Sequence, residues 1–225
     1  MKKILLAAAV MAAAFLLASN RVQAASGIFG TYIGINPNGA GNTFYGAQQP
    51  GPTTLTSFNS LNLGSFNHTS QTLTISAFQV NTFKNGISDV FGATLNYRIY
   101  PNGSTPGSFL QQSASFLANA TFTDAAGNSR SGSGDQNWGQ NAGAISLNAF
   151  NGITVTTPTL YNLEVYFQAA TSDGTAFSNN GGNNFIATFT AVPEPSTYAL
   201  LGFAAAGLGT LISRRHRRLV KHPEV

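Results

Sequence analysis

ATLNYRIY, residues 93–100, sets Leu95, Tyr97 and Ile99 in alternation with polar or charged partners. A period of two is the pattern of a half-buried strand, because successive side chains of an extended chain point to opposite faces. TLTISAFQV (72–80) alternates in the same way at Leu73, Ile75 and Ala77, then shifts phase to Phe78 and Val80. SASFLANATFT (113–123), GAISLNAF (143–150), GITVTT (152–157), YNLEVYFQAA (161–170) and NNFIATFTAV (183–192) extend the series, each bounded by Gly, Asn, Asp or Pro. Between residues 25 and 192 no window carries a 3.6-residue period with helix caps, and no fixed repeat of the kind a solenoid needs is present. About seven short strands with turn-rich connections predict an all-β fold, an antiparallel β-sandwich. Its expected core draws on Leu95, Tyr97, Leu163, Val165, Phe167 and Phe189, and Phe58, Phe66, Phe78, Phe91 and Phe116 recur at further strand-like positions.

The two ends of the chain differ from this body. Residues 1–24 carry Lys2 and Lys3, an apolar run from Ile4 to Ala18, and a short polar stretch closing on Val22-Gln23-Ala24. That is the three-part pattern of a secretory signal peptide, with cleavage expected between Ala24 and Ala25. At the other end, Pro193-Glu194-Pro195 precedes an uncharged segment, and Arg214, Arg215, Arg217 and Arg218 follow it. Proline fixes its own φ and biases the preceding residue away from helix, so the Pro-Glu-Pro reads as an extended spacer. The apolar segment predicts a transmembrane helix over about 196–212, roughly 25 Å long and a little short of a hydrocarbon core of about 30 Å. A buried core helix is the alternative, but it has no need of the arginine cluster behind it or of apolar residues all round. The cluster places residues 25–192 on the non-cytoplasmic side of the membrane, with LVKHPEV (219–225) as a short cytoplasmic tail.

Charge follows the same division. The chain is formally +4, but the segments on either side of 25–192 hold that excess. The body has Lys84, Arg98 and Arg130 against Asp89, Asp124, Asp135, Glu164 and Asp173, a balance of −2. With no basic stripe in the body, nucleic acid is excluded as a partner. The chain has no cysteine, which excludes a disulfide scaffold, a thiol nucleophile and a thiolate metal site.

Catalytic patterns are sparse. His68 is the sole histidine of residues 25–192, and no Gly-x-Ser-x-Gly elbow accompanies it. Five acids allow a carboxylate pair, but no motif selects one. Asp89, Asp124, Asp135 and Asp173 read as solvated surface or turn positions. No enzyme activity, no cofactor and no metal are therefore expected. The loop TSDGTAFSNNGGNN (171–184) gathers oxygen donors at Asp173, Asn179 and Asn180, a weak Ca²⁺ candidate with a single carboxylate; ordinary turn formation is the other reading. Trp138, in SGSGDQNWGQNAG (131–143), is either an exposed indole able to stack on a sugar ring or a packed, partly buried one.

Val192-Pro193-Glu194-Pro195-Ser196, then Ala199-Leu200-Leu201-Gly202, a Gly/Ala-rich apolar stretch and Arg214-Arg215 together resemble the PEP-CTERM sorting signal of diderm bacteria. The resemblance covers residues 193–218 and implies several things. Signal peptidase and an exosortase act on the chain, which is held transiently in the inner membrane and then passed to the cell surface or the extracellular matrix. Association with exopolysaccharide or biofilm is implied as well. The extension LVKHPEV departs from the pattern, since such tails usually stop soon after the arginines. Segments such as GNTFYG, NYRIYPNG and YNLEVYFQA are also similar to an uncharacterised β-domain of exported bacterial proteins. The expected function is a non-enzymatic surface or matrix component; a polysaccharide-binding module is the alternative, and a secreted carbohydrate-active enzyme the third reading.

Overall fold

The alternation at 93–100 sits in a strand running from Val90 to Pro101. The structure, a computed structural model, describes residues 26–140, 145–146, 157–193 and 199–200. Its strands in chain order are β1 (Ser26–Pro37), β2 (Thr43–Gln48), β3 (Asn62–Asn67), β4 (Leu73–Lys84), β5 (Val90–Pro101), β6 (Leu110–Ser113) and β7 (Ser115–Asn119). They continue with β8 (Phe122–Thr123), β9 (Ser129–Arg130), β10 (Asp135–Gln140), β11 (Ile145–Ser146), β12 (Thr159–Thr171), β13 (Gly174–Ser178) and β14 (Phe185–Val192).

Two six-stranded sheets form the body. The first runs β2-β1-β4-β10-β7, with β11 also on β4; the second runs β3-β14-β12-β5-β6, with β13 also on β12. Pairing is antiparallel except between β14 and β3, which run parallel. One hydrophobic cluster draws on both sheets: Ile33, Ile35, Phe78 and Val80 from the first, Leu95, Leu163, Phe167 and Phe189 from the second. The predicted β-sandwich is therefore present. Leu95, Leu163, Val165, Phe167 and Phe189 are buried as expected, and Tyr97 packs against the cluster from a half-buried position.

The phase shift read in residues 72–80 has a structural cause. Gly34 pairs with Ala77 but Ile35 pairs with Ile75, so Ser76 is an extra residue on β4. This β-bulge reverses the side-chain alternation, which lets Leu73 and Ile75 before it and Phe78 and Val80 after it all reach the core. A second bulge sits on β5, where Thr171 pairs with Val90 and Ala170 with Gly92. Phe91 is the unpaired residue. It stands at a strand position, as the sequence suggests, but is turned outward and is 66 % exposed. Phe116 is 49 % exposed on the edge strand β7 and is likewise not a core residue. The stretch 113–123 divides because Ala120 takes a positive φ between β7 and β8. Of the expected strands at 143–150 and 152–157, only Ile145–Ser146 and the final Thr157 lie within the described residues.

The first sheet is covered on its outer side too. The β8–β9 hairpin and the loop after β2 lie over Tyr32 and Gln79, and a buried charge fastens them. Asp124 is 4 % exposed, not the solvated turn residue expected from sequence. Its Oδ2 accepts from the Tyr32 hydroxyl at 3.0 Å and from Nε of Arg130 at 3.0 Å, and its Oδ1 accepts from the backbone of Ala126 and Asn128. Arg130 also donates to the Pro50 carbonyl, and Asn128 exchanges hydrogen bonds with the backbone of Thr53. Gly127, with φ of 85°, completes the turn that brings these groups together.

Candidate functional site

Strand direction sorts the molecule into two ends. Ser26, Lys84, Val90 and Thr171 meet at one end, as the pairings Ser26 with Lys84 and Thr171 with Val90 require. Pro37, Leu73, Pro101 and Thr159 gather at the other, where β14 also finishes. With about 3.3 Å per residue, the 13 residues of β12 set these ends roughly 40 Å apart.

The chain leaves the sandwich at the second end. Ala191 pairs with Thr159 of β12 and Phe66 of β3, and Val192 pairs with Asn67. The Val192 carbonyl oxygen lies 3.3 Å from His68 Nδ1. Pro193, which has no N–H to continue the ladder, follows at once and is buried. His68 thus stands at the exit of the last strand. Ala199 and Leu200 are helical and exposed, and among the described residues no helix is long and apolar enough to cross a membrane. The signal peptide, its cleavage point at Ala24 and Ala25, Glu194, Pro195, the remainder of the expected membrane helix, Arg214, Arg215, Arg217, Arg218 and the tail 219–225 lie outside the described residues.

Charge is distributed unevenly between the ends. Arg130 neutralises Asp124, and Arg98 neutralises Glu164 through a two-pronged contact of 2.8 and 2.9 Å. The remaining charged groups of the sandwich, Lys84, Asp89, Asp135 and Asp173, stand at the end remote from the exit. Lys84 pairs with Asp89 at 2.8 Å, and this hydrogen bond is the main reason the Asp89 carboxyl is held below its ordinary value. These four groups together carry the net −2, about the full length of a strand away from the exit.

The structure separates the residues of the suggested Ca²⁺ loop. Asp173 lies in the β12–β13 turn, accepting from the hydroxyls of Ser26 and Ser88. Asn179 and Asn180 stand beyond the far end of β13; Asn179 caps a 3₁₀ turn, Asn180–Gly182, by accepting from the Gly182 amide. Asp173 and the two asparagines thus stand at opposite ends of β13. Among the described residues no group of three or more His, Cys, Asp or Glu is placed to hold a metal.

Trp138 is packed. It pairs with Val80, is 9 % exposed, donates Nε1–H to Thr82 Oγ1 at 3.1 Å, and meets Phe116 edge to face at 5.1 Å. The exposed-indole alternative is thereby set aside, but the tryptophan borders a depression of about 340 Å³ on the second sheet. Cross-strand register lines up Ser113, Thr94 and Gln168 in one row, with Gly92, Ala170 and Thr175 in the next. The bulged Phe91 stands at its rim. Among the described residues no charged side chain lines it. Sequence reasoning misses this site because bulge and register, not a motif, assemble it.

A further polar arrangement lies on the outer face of the same sheet. Glu164, 4 % exposed, accepts from Arg98, from the Tyr100 hydroxyl at 2.9 Å and from the Asn184 amide at 2.6 Å. Arg98 in turn lies 4.1 Å from the Phe109 ring centroid. Burial first, and then the hydrogen bond to Glu164, pushes the Tyr100 hydroxyl above its ordinary value. Arg98 Nη1 also donates to the Gly107 carbonyl at 3.0 Å, so the arrangement clamps neighbouring strands and the loop that follows β5.

Comparison with curated proteins and with solved structures gives no match. One family model matches, and it covers the exit just described, from the last two residues of β14 onward. Residues 191–218 are a PEP-CTERM protein-sorting motif, a C-terminal signal for export to the cell surface that implies processing by an exosortase.

Proposed function

We propose that this chain is a non-enzymatic cell-surface or extracellular-matrix protein, delivered by signal peptidase and exosortase steps and working in contact with exopolysaccharide. The observation that carries the reading is the placement of the sorting motif, whose first two residues are the end of a paired strand. A spacer that begins at the sandwich itself holds the folded body next to the inner membrane until the spacer is cut. The non-enzymatic part of the reading is supported by the buried carboxylates, since Asp124 and Glu164 are each committed to an arginine. A matrix role is supported by a body of low charge whose exposed loops are rich in Asn, Ser, Thr and Gly.

The test is a Pro193→Ala/Pro195→Ala variant in a bacterium with a working exosortase. Alanine permits helix where proline opposes it, so the substitutions remove the conformational restriction that the two prolines impose. The expected outcome is precursor accumulating in the inner-membrane fraction, detected by immunoblot, while the parent chain reaches the surface. Equal surface delivery of both chains contradicts an exosortase-dependent route through this element.

A polysaccharide-binding role is the second reading. The uncharged, aromatic-rimmed depression next to Trp138 favours it.

A further inference from the structure

We propose that the depression bordered by Phe91, Trp138 and Gln168 is a binding site for a pyranose ring of an uncharged saccharide. The proposal locates the polysaccharide-binding reading and rests on it, but it is independent of how the tail is processed.

Four features of the site specify that ligand. The first is a bulge whose effect is to expose an aromatic ring. Regular pairing through 90–92 buries residue 91, whereas the observed register leaves Phe91 unpaired and 66 % exposed at the rim. An exposed phenyl face offers its negative π-surface to the polarised C–H groups of a sugar face. Secondly, the row formed by Ser113, Thr94 and Gln168 supplies two hydroxyls and a carboxamide side by side. These groups both donate and accept, as recognition of vicinal hydroxyls requires. Thirdly, among the described residues the lining holds no charged side chain, and both arginines of the sandwich are paired elsewhere. A uronate, sulfate or phosphate group finds no counter-charge there. Lastly, the floor is open at Gly92: a Cβ built on it meets no atom within 4 Å, and its φ is not in the left-handed range. About 340 Å³ accommodates a single ring with part of its neighbours.

Position agrees with chemistry. Phe91 and Thr175 lie towards the end of the sandwich away from Val192, so the depression stays open while the tail is held at a membrane.

Gly92 also supplies the decisive variant. A Cβ there meets open space, so the side chain of Gly92→Phe enters the depression and not the packed interior. Trp138, the single tryptophan of the chain, provides the signal. The full chain, held in a detergent without a sugar head group, is titrated with neutral gluco-, manno- and galacto-hexaoses and with a polyuronate as the charged control. The result expected is saturable binding of at least one neutral hexaose with a change in tryptophan emission. Gly92→Phe and Phe91→Ser should each weaken it by about tenfold or more with the unfolding midpoint unchanged. The proposal is overturned if no neutral hexaose binds saturably, if Gly92→Phe leaves binding intact, or if the polyuronate binds in preference. It is overturned equally if Phe91→Ser abolishes a dimer seen by sedimentation in a chain that binds no saccharide, since the rim is then a self-association surface.

Discussion

Asp124→Ala lowers the thermal midpoint of the sandwich by roughly 10 °C or more, the largest effect expected of a single substitution outside the apolar core. The variant removes the acceptor for Tyr32, Arg130, Asn128 and two backbone amides together, and it leaves the Arg130 guanidinium with its charge uncompensated. Breaking a buried pair by deleting one partner costs about 3–5 kcal/mol, and each kcal/mol shifts the midpoint of a domain this size by about 2–4 °C. Differential scanning calorimetry reads the result directly. Acid dependence gives a second check. Burial pushes the Asp124 carboxyl up, but hydrogen bonds from Asn128, Arg130 and Tyr32 outweigh it and hold the folded-state value below the ordinary one. A depressed value means that stability is present above the unfolded value of about 3.9 and lost as pH falls through the folded one. The acid limb of the stability profile should therefore be shallower in Asp124→Asn than in the parent. Tyr32 acts at the opposite extreme. Burial, then the bond to Asp124, pushes its hydroxyl up to about 12, so its contribution is full below pH 10 and is lost as pH rises through about 12.

Glu164→Ala is expected to destabilise by a comparable amount, about 3 kcal/mol. The carboxylate joins β12 to β5 through Arg98 and Tyr100 and to the start of β14 through Asn184. Removing it strands Arg98, whose side chain is 21 % exposed and relieves part of the charge through solvent. Replacing both partners, as in Arg98→Met/Glu164→Met, should recover most of the loss, because the penalty lies in the unpaired charge and not in the absence of the pair. A chemical-denaturation cycle over the two single variants and the double variant measures this coupling. Additive losses contradict the clamp.

The fold class was legible wherever polar and apolar residues alternate over a full strand. β5, β12 and β14 each combine a core row with a polar outer row, and even the bulge at Ser76 left its mark as a change of phase in residues 72–80. β1 was not legible, although it is an interior strand of its sheet. Gly27, Gly30 and Gly34 interrupt its alternation, and the first sheet is covered on both sides at that strand, so Tyr32 on one side and Ile33 on the other are both fully buried. Covered strands lose the period-two signal for this reason. Phe91 shows the converse: it lies in phase with Ala93 and Leu95, and only the pairing of Thr171 with Val90 reveals the bulge that turns it outward. Asp124 looked like a turn residue because it is one; its partners Tyr32 and Arg130 are 92 and 6 residues away, and the long-range contact has no local signature. The sorting segment was legible for a different reason. Its chemistry lies in consecutive residues, so no tertiary contact is needed to recognise it.

Intact-mass and terminal-peptide mass spectrometry of the surface-exposed protein is the most direct test of the whole account. A chain routed by this motif should begin near Ala25, immediately before the first residue of β1, and end close to Pro193-Glu194-Pro195, immediately after the last residue of β14. The processed protein is then little more than the sandwich itself. A surface protein that still carries Arg214–Arg218 and LVKHPEV, recovered from cells with an active exosortase, contradicts it.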